Sequence, residues 1–117
     1  ADGKFIAQWF QFGRPSGMYI DKRTDTLYVA DSESRDGRTN TGVFALPQTG
    51  YGYNPGIRRG IRIGSARDGK VTAFIPDPCE YPYAGVSTLA EGVTVDRDGN
   101  VYGADFLNDV RKFVLKK

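Results

Sequence analysis

The chain has 117 residues, 16 basic and 14 acidic side chains, one cysteine and no histidine. That is the length of one ordinary domain, and 39% hydrophobic residues fit a folded protein rather than a disordered one. Without histidine the chain cannot build a Ser-His-Asp or Cys-His nucleophile or a histidine-ligated zinc, and a lone Cys79 excludes an internal disulfide framework.

The first residues, Ala1-Asp2-Gly3-Lys4, lead straight into Phe5-Ile6-Ala7-Gln8-Trp9-Phe10 with no signal peptide. This start reads as a processed or trimmed end, and the apolar run predicts a first strand over 5–10. Next comes Gly17-Met18-Tyr19-Ile20-Asp21, which recurs 75 positions later as Gly92-Val93-Thr94-Val95-Asp96. One deletion further on, Leu27-Tyr28-Val29-Ala30-Asp31 recurs as Val101-Tyr102-Gly103-Ala104-Asp105. Each unit is a strand, a polar turn and a second strand closing in Ala-Asp. Asp98-Gly99 in the second turn is a hairpin signal, because a tight turn needs residues that tolerate positive φ.

The interval 35–59 is rich in glycine, asparagine and proline and reads as a long surface loop, partly ordered because Phe44 and Leu46 need cover. Strands are predicted over 60–64 and 71–75, joined by the turn Arg67-Asp68-Gly69-Lys70 and ended by Pro76 and Pro78, which cannot donate to a ladder. The last three strands fall at 92–96, 100–105 and 110–114, for eight in all, and no stretch holds a helical period. The expectation is therefore an all-β chain, one domain over 1–117.

Strand, Asp, Gly-Asn turn and Val-Tyr-x-Ala-Asp together resemble the NHL repeat, the unit that builds blades of commonly six-bladed β-propellers. The phrases Gln11-Phe12-Gly13-Arg14-Pro15-Ser16-Gly17, Leu27-Tyr28-Val29-Ala30-Asp31-Ser32-Glu33-Ser34 and Arg59-Gly60-Ile61-Arg62-Ile63-Gly64-Ser65 are similar to the C-terminal blades of bacterial peptidyl-α-hydroxyglycine α-amidating lyase-like proteins. The resemblance implies two four-stranded blades, an exported protein (extracellular or periplasmic) and a central channel. It also implies, for the lyase, a histidine-bound zinc and a structural calcium in that channel. The histidines of that family sit just before the innermost strand, after a proline. The matching positions here are Ser16 and Glu91, so zinc is not expected from this chain, whereas Glu91 is a candidate oxygen ligand for calcium.

Two blades share one interface and leave two apolar sheet faces open, more than a soluble monomer normally exposes. The expected partners are further blades, supplied either by a longer parent chain or by a homo-oligomer in which three copies close the ring. In the oligomer, residues 5–10 of one copy complete the three-stranded final blade of the next. No nucleic-acid partner is expected at a net charge of +2, and no apolar run approaches the roughly 20 residues of a membrane helix.

Candidate ligand residues are Ser16 and Glu91 at the channel, and Tyr51, Tyr53, Arg58 and Arg59 at the rim, where rings and guanidinium forks suit an anion or a sugar. Arg62 alternates with Ile61 and Ile63 and reads as an outward-facing strand residue. Asp31 and Asp105 are expected to accept bonds from turn amides, and Asp21 and Asp96 to bond their own turns. The expected function is a propeller module that binds a ligand or protein through its channel or rim. The alternatives are a metal-dependent amidating-lyase-like enzyme and a structural component of a larger assembly. The absence of histidine favours binding over catalysis for this chain.

Overall fold

A computed structural model describes residues 2–36, 52–77, 91–105 and 109–116. Seven strands are present among them: β1 (Pro15–Asp21), β2 (Thr26–Asp31), β3 (Gly60–Ser65), β4 (Val71–Pro76), β5 (Gly92–Val95), β6 (Val101–Asp105) and β7 (Asp109–Phe113). They form a four-stranded sheet in the order β1-β2-β3-β4 and a three-stranded sheet in the order β5-β6-β7. Every pairing within the sheets is antiparallel, so short turns suffice to join most neighbours.

The sequence repeat is also a repeat of register. Gly17, Met18 and Tyr19 stand opposite Ala30, Val29 and Tyr28, and Gly92, Val93 and Thr94 stand opposite Ala104, Gly103 and Tyr102. The next ladder continues the match, with Ala30 opposite Ile61 in one sheet and Ala104 opposite Val110 in the other. Successive side chains on a strand point to opposite faces, so equal registers give the two sheets equivalent faces. We call face A of the first sheet the one bearing Tyr19, Tyr28, Ala30, Ile61, Ile63 and Ile75. Its opposite, face B, bears Met18, Ile20, Leu27, Val29, Arg62 and Phe74.

The core lies between the sheets. Tyr28, Ala30 and Ile61 from face A pack on Val95 and Val101 of the second sheet, with Tyr19, Ile63, Ile75, Val93 and Phe113 around them. Val93, Val95 and Val101 occupy the register positions of Met18, Ile20 and Leu27, so face A of one sheet meets face B of the other. A second apolar cluster lies on face B of the first sheet, where Phe12 covers Leu27 and Val29 beside Ala66 and Val71.

Residues 5–10 do not form the strand that the apolar run predicts. They lie outside both sheets, with Phe5, Ile6 and Phe10 at 76%, 89% and 78% exposure. A strand needs a ladder to join, and apolar character alone does not supply one. The last element of this segment is tethered instead: Trp9 packs against Gly69 and Phe12, and Gln11 Nε2 donates to the Gly69 carbonyl at 2.6 Å. The expectation of eight strands and two complete four-stranded blades is corrected accordingly, to sheets of four and three strands among the described residues.

At one end of the inter-sheet contact the first residues of β1 and β5 come very close. A methyl group on Gly17 would overlap the carbonyl oxygen of Glu91 and press on Gly92 Cα. Gly17→Ala therefore forces the sheets apart and is expected to cost about 1–3 kcal/mol, as overpacking against backbone does. Chemical denaturation of the two proteins side by side measures that difference.

Candidate functional site

Ser16 and Glu91 immediately precede Gly17 and Gly92, so the Gly17–Glu91 contact brings the two repeat-related positions to the same end of the paired sheets. Both residues are exposed. The Ser16 hydroxyl donates to the Ala30 carbonyl at 3.2 Å, and the Glu91 N–H donates to the Ala104 carbonyl at 2.7 Å. Backbone bonding thus fixes where each side chain starts. Among the described residues no group of three or more His, Cys, Asp or Glu side chains could hold a metal ion. Among the described residues a calcium at Glu91 would find one carboxylate and would need further oxygens, whereas the histidine-bound zinc of the lyase does not fit a chain without histidine.

The rim candidates among the described residues, Tyr53, Arg58 and Arg59, differ in exposure: half-buried, exposed and buried. Tyr51 lies outside the described residues. Tyr53 is half-buried and forms a single parallel bridge with Arg35. The bridge is accompanied by Arg35 N–H donating to Gly52 O at 2.7 Å, Asn54 N–H to Arg35 O at 2.8 Å, and Asn54 Nδ2 to Ser34 Oγ at 3.1 Å. Arg58 is exposed, and its carbonyl accepts a bond from Arg62 Nη2 at 2.7 Å. Arg59 is turned inward: its guanidinium meets the Asp77 carboxylate at 2.8 Å, with both side chains almost fully buried.

Sequence reasoning missed the arginine at the centre of the first sheet. Arg62 does alternate with Ile61 and Ile63, but it is buried rather than outward-facing. Its guanidinium lies 4.5 Å from the centre of the Phe74 ring and 3.5 Å from Asp31 Oδ2. Burial pushes this guanidinium below its ordinary pKa, against the opposing pull of Asp31. Asp31 itself is fully buried and accepts bonds from the N–H groups of Arg14, Glu33 and Ser34 at 3.1, 3.1 and 2.9 Å. The aspartate expected to serve turn amides does so, and it also joins β2, the segment before β1, the start of the loop and β3 at one carboxylate.

The reasoning also missed a cleft of about 750 Å³ between the sheets. Ile63, Ala73 and Ile75 form one wall, Phe113 and Leu115 the other, and Arg23 and Arg97 flank its end. It exists because β4 extends the first sheet past β7, which no strand flanks among the described residues. Only an arrangement of strands could reveal it, since each wall alone reads as ordinary core.

Two outcomes follow from these carboxylates. Asp31→Ala leaves a buried guanidinium without its counter-charge and three N–H groups without an acceptor, and is expected to lose about 3–5 kcal/mol in denaturant titrations. Asp96 accepts bonds from Asn100 Nδ2, Asn100 N–H, Tyr102 Oη–H and Asp98 N–H. The side-chain bond from Asn100 is the largest influence holding its pKa down, at about 2 against an ordinary 3.8. A depressed folded-state pKa stabilises the fold above the ordinary value and loses that contribution as pH falls toward about 2. Asp96→Asn should melt at a lower temperature than the unsubstituted chain at neutral pH, with the gap closing near pH 2.

Among the described residues no helix is long and apolar enough to cross a membrane. In comparison with known proteins, no family model, curated protein or solved structure matches this chain.

Proposed function

We propose that the chain contributes two blades to an NHL-type β-propeller of an exported bacterial protein, and that the propeller binds a ligand at the channel mouth marked by Ser16 and Glu91. One observation carries this reading: the residues preceding the two repeat-related inner strands stand side by side, exposed, at one end of the paired sheets. In a ring of such sheets the same position recurs around an axis, and side chains that are single in one chain become a circle. Exposed carboxylates converging on an axis suit a cationic ligand, namely a hard metal ion such as calcium or the cationic group of a peptide.

Binding is favoured over lyase chemistry because the positions that carry histidine in the lyase carry Ser16 and Glu91 here. Tyr53 and Arg58 remain as a smaller contact region at the foot of the loop, without Arg59, whose charge is used internally. Titrating calcium into the full chain by calorimetry tests the channel reading. The expected result is saturable binding that Glu91→Gln weakens roughly tenfold or more, in keeping with the loss of a charged oxygen ligand. Binding unchanged by Glu91→Gln removes that residue from the site, and no calcium heat at all removes the cation reading. Turnover of a peptidyl-α-hydroxyglycine by the zinc-supplemented chain would overturn the choice of binding over catalysis.

A further inference from the structure

We infer that the cleft between the two sheets binds a small monocarboxylate with an apolar body, such as a medium-chain fatty acid, its carboxylate set against the Tyr28 hydroxyl and the cations beside it. The inference goes beyond the channel reading and stands apart from it, since it involves neither Ser16 nor Glu91. The cleft holds about 750 Å³, within the roughly 300–1,000 Å³ usual for small-molecule sites. Its walls are apolar, with Ile63, Ala73 and Ile75 on one side and Phe113 and Leu115 on the other. A mostly apolar cleft with a few polar groups at one end fits a molecule that is itself divided in that way.

The sign that a ligand belongs there is a hydroxyl left over. Tyr28 and Tyr102 hold the same place in the repeat, opposite Tyr19 and Thr94. The Tyr102 hydroxyl donates to Asp96 Oδ2 at 3.0 Å. Asp21, the counterpart of Asp96, is taken up instead by Arg23, whose Nε and Nη2 donate to it at 3.1 and 2.9 Å. Among the described residues nothing accepts from the Tyr28 hydroxyl, although Tyr28 is only 9% exposed and lines the cleft. A buried phenol ordinarily finds an acceptor. Burial also raises the pKa of this one, so it stays a proton donor at neutral pH.

Charge says which acceptor. The charged residues lining the cleft are Asp21, Arg23, Arg97, Asp98 and Lys116. Asp21 and Arg23 neutralise each other at 2.9 Å, which leaves two cations against the single carboxylate of Asp98. Among the described residues neither Arg97 nor Lys116 forms an ion pair. The remaining sequence offers one further carboxylate, Glu80, joined through Asp77 to the end of β4 away from these cations. A carboxylate brought by a ligand supplies both missing partners, an acceptor for Tyr28 and a counter-charge for Arg97 and Lys116, while its hydrocarbon lies along the walls.

Titrating decanoate into the full chain by calorimetry tests this, with decanol and decyltrimethylammonium as companions of the same chain length. The expected result is saturable binding of one decanoate, with decanol roughly tenfold weaker and the cation not bound. Tyr28→Phe keeps the ring and removes only the donor, and is expected to weaken decanoate roughly tenfold, as loss of a hydrogen bond to a charged group does. Arg97→Gln, in an exposed turn, is expected to weaken decanoate and leave decanol unchanged. Ala73→Trp, at an exposed position of the wall, fills the cleft and abolishes binding of both. Circular dichroism matching the unsubstituted chain confirms that the variants fold. Absence of decanoate binding overturns the inference and is also the result when further polypeptide fills the cleft. Equal affinity for the three probes overturns it as well, as does decanoate binding that Tyr28→Phe and Ala73→Trp leave unchanged.

Discussion

The two sheets share no hydrogen-bonded ladder, so the arrangement of the molecule depends on apolar contact between them. Among the described residues, Tyr28, Ala30 and Ile61 against Val95 and Val101 are the buried side chains of that contact, with a wider ring of half-buried ones. A small sheet needs a covered apolar face to be stable, and burial against a neighbour supplies what its own hydrogen bonds cannot. Everything placed at the ends of β1 and β5, Ser16 and Glu91 included, takes its position from this contact.

Within the first sheet the organising group is a charge. A buried carboxylate is tolerated only when its oxygens are satisfied, and Asp31 is satisfied by three backbone donors and a guanidinium. Those donors come from the irregular chain beside the β1–β2 ladder, where Arg14 also pairs with Glu33 at 3.1 Å. The carboxylate therefore acts as a fastener for irregular chain on either side of β1 and β2, the kind of chain that apolar packing holds poorly. Arg59 and Asp77 make a comparable pair where β3 begins and β4 ends.

Strand positions were legible because alternation and turn chemistry are local. The repeat at a spacing of 75 residues corresponds to equal registers in the two sheets, with Gly17 and Gly92 at matching positions. What was not legible depended on partners distant in sequence. Alternation says that Arg62 opposes Ile61 and Ile63 in direction, but whether its face is covered depends on Phe74 and on the carbonyl of Arg58. For the same reason Arg59 looked available while Asp77, 18 positions on, had already engaged it. Residues 5–10 have strand composition, and composition cannot provide the ladder that a strand requires.

The turn between β1 and β2 has a consequence for motion. Arg23 is held by the Asp21 carboxylate at 2.9 Å, and that hydrogen-bonded pairing lowers the pKa of Asp21 and raises that of Arg23. From there the guanidinium reaches across to the Arg97 carbonyl at 3.1 Å and the Asp96 carbonyl at 3.4 Å on the opposite sheet. With Gly17 against Glu91 at one end and Arg23 against Arg97 at the other, β1 and β5 are pinned at two points along their length. Splaying or sliding of the two sheets therefore disturbs one of these two contacts, and the Arg23 bonds tie a charge-paired turn of one sheet to the turn of the other.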